Sequence, residues 1–368
     1  MKRFFLFSLV FLLVLSACAQ SYALTPTVLP TETPMPATQP PTLEVVTQTP
    51  TSQSLNTTDW LSGLEVIGPA NWSRLQLLKT FPAEMPLNHS AVAISADGKT
   101  MAVGSSSGAK IFFFDLSSGQ LSRTVSINGV PNVDAYFNTL EYLPDGTLMA
   151  NSDGPYAIYH IDAVGNVLST WDGSSFALSA DKKIMAHGTN AGTTLVDIAS
   201  NTSLGSFEGG YALDFSFAPD GSKIAVNDAG VDYITTTIWD IASGTQLAVL
   251  NDMGNARFSP NNNFFAVTSY KENITPLKIF SPDGMTQLAT LSVNEPNGLD
   301  GRPPVLSSDG SIIAAQIAKG SPVAWDTTDW QLLEPLPLEG ELYSFAPDGR
   351  ILVTRTPDGG ILLWGVKP

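Results

Sequence analysis

The sequence predicts an all-β protein in which seven four-stranded antiparallel sheets form a ring, and a strand from the N-terminal side closes it. Three observations carry the prediction. An Asp-centred turn of the Pro-Asp-Gly kind returns seven times at intervals of about 36 to 48 residues. Each copy is followed by a strand of small residues and then by an apolar strand that often ends in aromatic-Asp. The last copy leaves room for only three strands before Pro368, while Arg74-Leu75-Gln76-Leu77-Leu78-Lys79-Thr80-Phe81 reads as an unpaired strand ahead of the first copy.

In chain order, Met1-Lys2-Arg3 supplies a positive start and Phe4 to Leu15 an apolar run broken only by Ser8. Twelve residues are too few to cross a hydrocarbon core of about 30 Å, so residues 1–17 read as an export signal. Leu15-Ser16-Ala17-Cys18 resembles the lipobox of bacterial lipoproteins. That resemblance implies lipidation of Cys18, cleavage before it, and a protein anchored outside the bacterial cell membrane. Cys18 is the chain's one cysteine, which excludes an internal disulfide framework or a Cys-x-x-Cys site.

Residues 18–58 are rich in Thr and Pro and poor in charge. Such a stretch cannot bury enough apolar surface to offset its ordering entropy, so it is expected to be a disordered tether reaching roughly 100 Å. Residues 59–73 are expected to form a short cap, and residues 74–368 the ring.

The turns fall at Ala96-Asp97-Gly98, Pro144-Asp145-Gly146, Ala180-Asp181-Lys182, Pro219-Asp220-Gly221, Pro260-Asn261-Asn262, Ser308-Asp309-Gly310 and Pro347-Asp348-Gly349. Proline presets φ, Asp or Asn folds back onto its own backbone, and Gly accepts positive φ. The expected third strands run over residues 110–115, 157–162, 193–197, 237–240, 277–281, 323–326 and 360–365. Trp239, Trp325 and Trp364 occupy matching places in three of them, and the first two continue as Trp-Asp. This pattern resembles the WD-repeat family, Ala212 to Leu250 most closely, and implies a seven-bladed β-propeller. The Gly-His dipeptide that opens many family repeats is missing, so packing is expected to replace its hydrogen-bond network.

Acidic residues outnumber basic ones 34 to 18, for a net charge of -16. Such a chain repels phosphate backbones, so nucleic acid is not an expected partner. No G-x-S-x-G elbow, phosphate loop or dinucleotide fingerprint occurs. The three histidines, His89, His160 and His187, show no metal-ligand spacing. No catalytic residue, metal or cofactor is therefore expected.

In a propeller the loops from second to third strand share one face with those leading to the next blade. The long loops on that face carry Asp134, Tyr136, Tyr233, Tyr270, Glu272, Asp300 and Arg302, aromatic anchors mixed with charges suited to gripping a surface or envelope protein, or a glycan. The expectation is a monomeric, membrane-tethered interaction or scaffold module without catalytic activity. The alternative is a propeller enzyme, such as a sugar-lactone hydrolase or quinone-dependent dehydrogenase, with its site at the channel mouth.

Overall fold

The structure, a computed structural model, describes residues 60–81, 91–105, 108–128, 136–153, 156–189, 192–229, 234–270, 275–295 and 298–368. These residues build a seven-bladed β-propeller. The blades span residues 92–126, 136–172, 176–207, 211–251, 253–291, 305–332 and 341–365, and the seventh is completed by the strand Gln76–Phe81. That strand pairs antiparallel with Ile361–Gly365, matching Gln76 to Gly365 and Phe81 to Ile361.

The seven turns repeat one local solution. In each, a backbone N–H at the third position of the motif bonds the carbonyl three residues earlier, as from Gly98 to Ser95 or from Gly349 to Ala346. The central Asp, or Asn261, accepts from the amide two residues on, at 2.9 to 3.2 Å. The third position needs positive φ, between 57° and 84° across the set. Glycine meets that demand in five blades without strain, while Lys182 and Asn262 adopt the same conformation at φ 58° and 57°.

Second strands show why the ring packs. Both of their faces meet a neighbouring blade, so they are nearly continuous in burial, and Ala102, Ala150, Ala186, Ala225, Ala266 and Ala314 are all fully buried. Small side chains let adjacent sheets approach closely near the axis. Outer strands, by contrast, are largely exposed, as in Gln120–Ser126 and Thr202–Phe207.

Apolar clusters fill every junction between consecutive blades, including the one between seven and one. An open array of seven blades has only six junctions. The seventh joins Phe81, Val353, Ile361 and Leu363 to Val92, Ile94, Met101 and Phe114, which makes the ring closed.

Residues 60–64 pack over this seam, and the stretch up to 74 goes on to the junction of blades six and seven. Glu65 bridges to Val366, the Ile67 amide donates to the Gly349 carbonyl, and a single 3-10 turn, Pro69–Arg74, buries Trp72. The Trp72 indole N–H donates to the Glu334 carbonyl at 3.1 Å.

Blade six departs from the expected four strands. Its sheet has three, and the fourth is reduced to one bridge between Trp325 and Leu332 plus a bond from the Leu333 amide to the Ala324 carbonyl. Pro335 and Pro337 follow at once, and neither can donate to a sheet ladder.

Candidate functional site

Three of the candidate residues come together on the loop face. Tyr270 follows the second strand of blade five, and Asp300 and Arg302 lie in the connection from blade five to blade six. The Tyr270 hydroxyl donates to the Gly301 carbonyl at 2.8 Å, and Asn255 donates from its side-chain amide to both of those oxygens. The connection is anchored beneath by the Asp300 amide, which donates to the Gln316 carbonyl, and by buried Leu299.

Arg302 then turns toward blade seven. Its guanidinium donates to both oxygens of Glu341, at 2.5 and 2.8 Å, and its Nε lies 3.0 Å from Asp300. Glu341 opens the first strand of blade seven and faces Arg355 in register on the second, 3.7 Å away. The guanidinium of Arg355 also stands 5.8 Å over the Tyr343 ring. Asp300, Arg302 and Glu341 border a cleft of about 510 Å³ floored by Gln316 to Gly320.

Further along the wall of the channel, Arg257 on the first strand of blade five donates to Asp214 on that of blade four at 2.5 Å. Hydrogen bonds from Arg302 hold the Glu341 carboxyl below its ordinary range. Burial pushes Asp300 the other way, against the pull of Arg302. Asp228 is raised to about 6 by burial, and its Oδ1 has no hydrogen-bond partner among the described residues.

Tyr136 starts the first strand of blade two, opposite Asp153, while Asp134, Tyr233 and Glu272 lie outside the described residues. The signal, Cys18 and the tether lie outside them as well. Sequence reasoning missed Glu341, Arg355, Asn255 and the Arg257–Asp214 pair. Their partners are 14 to 46 residues away, and no local pattern marks them.

His160 is half-buried in the third strand of blade two with its Nε2 2.8 Å from the Thr147 hydroxyl. His187 is buried in the second strand of blade three, with Nδ1 2.9 Å from the Asp172 carbonyl. Burial lowers both pKa values, which suits neutral structural histidines. His89 lies outside the described residues. Among the described residues no group of three His, Cys, Asp or Glu side chains is gathered as a metal site would require.

No known protein family and no curated protein matches the chain. Solved structures do match, in 1408 chains. One is a chain of hydrazine synthase from Kuenenia stuttgartiensis, which aligns with a TM-score of 0.62 over 76% of this chain and 96% of that one, at 16% identity. Likeness at that identity is likeness of fold.

Proposed function

We propose that this protein is a membrane-tethered extracytoplasmic interaction module, a WD-like propeller that holds a surface or envelope partner on its loop face and carries out no chemistry. One observation carries the reading: the charged side chains at the channel mouth are spent on one another. Arg302 is engaged by two carboxylates, Glu341 by two arginines, and Arg257 by Asp214. A general acid, base or oxyanion donor needs capacity left over for a reacting atom, whereas interlocked pairs make a rigid, patterned surface.

The tether's point of entry supports the same reading. Leu61 and Leu64 lie beside Asp97, Gly98 and Asp348, on the face made by the Asp-centred turns. The chain thus joins the ring on the turn face, and its attachment leaves the loop face clear for a partner.

Two observations favour an enzyme: Asp300, a carboxyl that burial pushes up at the mouth of a cleft, and Asp228, which burial raises to about 6. Crosslinking on intact cells, with Cys18→Ala as the unanchored control, tests the proposal. A partner captured by the anchored protein and lost with Tyr270→Ala and Arg302→Ala is the expected result. No partner above the level of an unrelated tethered domain overturns it.

A further inference from the structure

We propose that a second cleft on the loop face, bordered by blades two, three and four, takes one pyranose ring of a neutral glycan between Tyr156 and Tyr211. The inference rests on the binding-module reading and gives it a ligand class. The cleft measures about 550 Å³ and is lined by Tyr156, Asp172, Gly173, Ser174, Gly188, Thr189 and Tyr211. That is ample for a sugar residue within the usual range of ligand sites.

The two tyrosines are 62% and 38% exposed. An exposed aromatic ring gives a pyranose an apolar surface for its C–H face at little entropic cost, since only two side-chain torsions must be fixed. Of the polar groups between them, Thr189 donates to the Gly192 carbonyl at 3.3 Å. The side chains of Tyr156, Asp172, Ser174 and Tyr211 make no hydrogen bond with any described residue, in contrast to the interlocked charges at the blade five to seven mouth.

Backbone and buried groups, not these side chains, hold the cleft in shape. The Gly173 amide donates to the Tyr156 carbonyl at 3.2 Å, and the Gly188 amide donates to the Ser175 carbonyl at 3.2 Å. Asn151 donates to the Ser174 carbonyl and the Ser175 hydroxyl donates to the Ala212 carbonyl. Gly173, at φ 154°, sits where a Cβ would come within 2.7 Å of the Gly188 carbonyl oxygen, so no other residue lets the connection lie this close to blade three. A floor fixed in advance leaves the binding groups ready without an ordering cost at the moment of binding.

The chemistry selects the ligand. Among the described residues the lining holds no aliphatic side chain that would anchor a peptide. The one charge among those residues is the Asp172 carboxylate, and the chain carries -16 overall, both of which disfavour an anionic ligand. Ring faces, hydroxyls and a carboxylate acceptor match the alternating C–H and O–H surfaces of an uncharged sugar.

Titration calorimetry of the full chain with maltotetraose, cellotetraose and the fully N-acetylated chitotetraose tests this. At least one is expected to bind, with Tyr156→Ala and Tyr211→Ala each weakening it about tenfold, and Tyr156→Phe, which keeps the ring, staying within about threefold. Unchanged melting temperatures show that the variants fold. If none of the three binds below about 10 mM, or if both alanine variants bind like the parent, the site is refuted. Chromatography of the sugar separates this from the parent reading: intact sugar supports both, and a cleaved sugar upholds the cleft while overturning the absence of chemistry. An envelope protein captured without any sugar binding overturns the glycan site and leaves the interaction module standing.

Discussion

Phe81→Ala is the sharpest test of the closed ring. The side chain is 2% exposed at the end of Gln76–Phe81. Through this strand it belongs to blade seven, yet its ring meets Phe114 of blade one edge-on, with centroids 5.1 Å apart and planes at 70°. Truncating a buried Phe costs about 3–5 kcal/mol from lost transfer energy and the cavity left behind. An unfolding entropy of about 2.1 cal/mol/K per residue over roughly 300 residues gives about 0.6 kcal/mol/K, so the melting temperature should fall by about 5–8 °C. Leu77→Ala is the control, because Leu77 lies on the same strand, pairs with Trp364, and is 44% exposed. It should shift melting by under about 1 °C. Scanning calorimetry of both variants decides the matter. If Phe81→Ala melts within a degree of Leu77→Ala, the strand is not a latch and the reasoning fails.

Asp228→Asn should change stability in a pH-dependent way. Its folded carboxyl titrates near 6 rather than 3.8 because burial disfavours the anion, so the native state binds the proton more tightly than the unfolded chain. Stability from this group is complete below about pH 3.8 and is lost as pH rises through 6. The variant should therefore melt higher than the parent at pH 7.5 and level with it at pH 4 in paired thermal scans. Asp220→Ala removes the acceptor for the Ser222 amide and hydroxyl and should cost about 1 kcal/mol or less at pH 7, with Asp220→Asn milder. Asn261 already fills this role in blade five. Hydrogen bonds from Ser222 hold the Asp220 carboxyl below 3.8, so this contribution is present above that value and fades as pH drops through the lowered one. Glu341→Gln should lower melting by about 1–2 °C in dilute buffer, with the difference shrinking in about 1 M salt, where exposed pairs are screened.

What the sequence revealed and what it hid divide by range of interaction. The turns were legible because their chemistry is complete within six residues: Ser95, Asp97 and Gly98, with the Lys99 and Thr100 amides, carry the groups that close the first turn. The third strands were legible for a similar reason, since Asp115, Asp162, Asp197, Asp240 and Asp326 each cap the turn that follows their own strand. The closing strand was found by counting, because a three-stranded last blade needs a partner. In blade six the fourth strand is kept only as the Trp325–Leu332 bridge, since Pro335 and Pro337 just beyond it cannot donate to a ladder. The candidate site lay mostly beyond reach. Tyr270, Asp300 and Arg302 were chosen for residue type and loop position, but Glu341 gains its meaning only when two blades bring it to Arg302, 39 residues apart in the chain.

The two faces of the ring differ in how much freedom their chemistry leaves. On the turn face each Asp is committed to its own backbone, so changing it alters stability before it alters recognition. On the loop face the connections range from the single residue Asp252 between blades four and five to the long stretch 292–304 before blade six, and none has to repeat. Closure by a strand that is distant in sequence gives this freedom its footing, because the seam is sealed by Phe81 of that strand and by Leu64 of the segment before it and not by a loop of the binding face. Loop-face residues such as Tyr156, Tyr211 and Arg302 can then be replaced without opening the ring. Variants there should separate binding from folding, and variants at the seam should not.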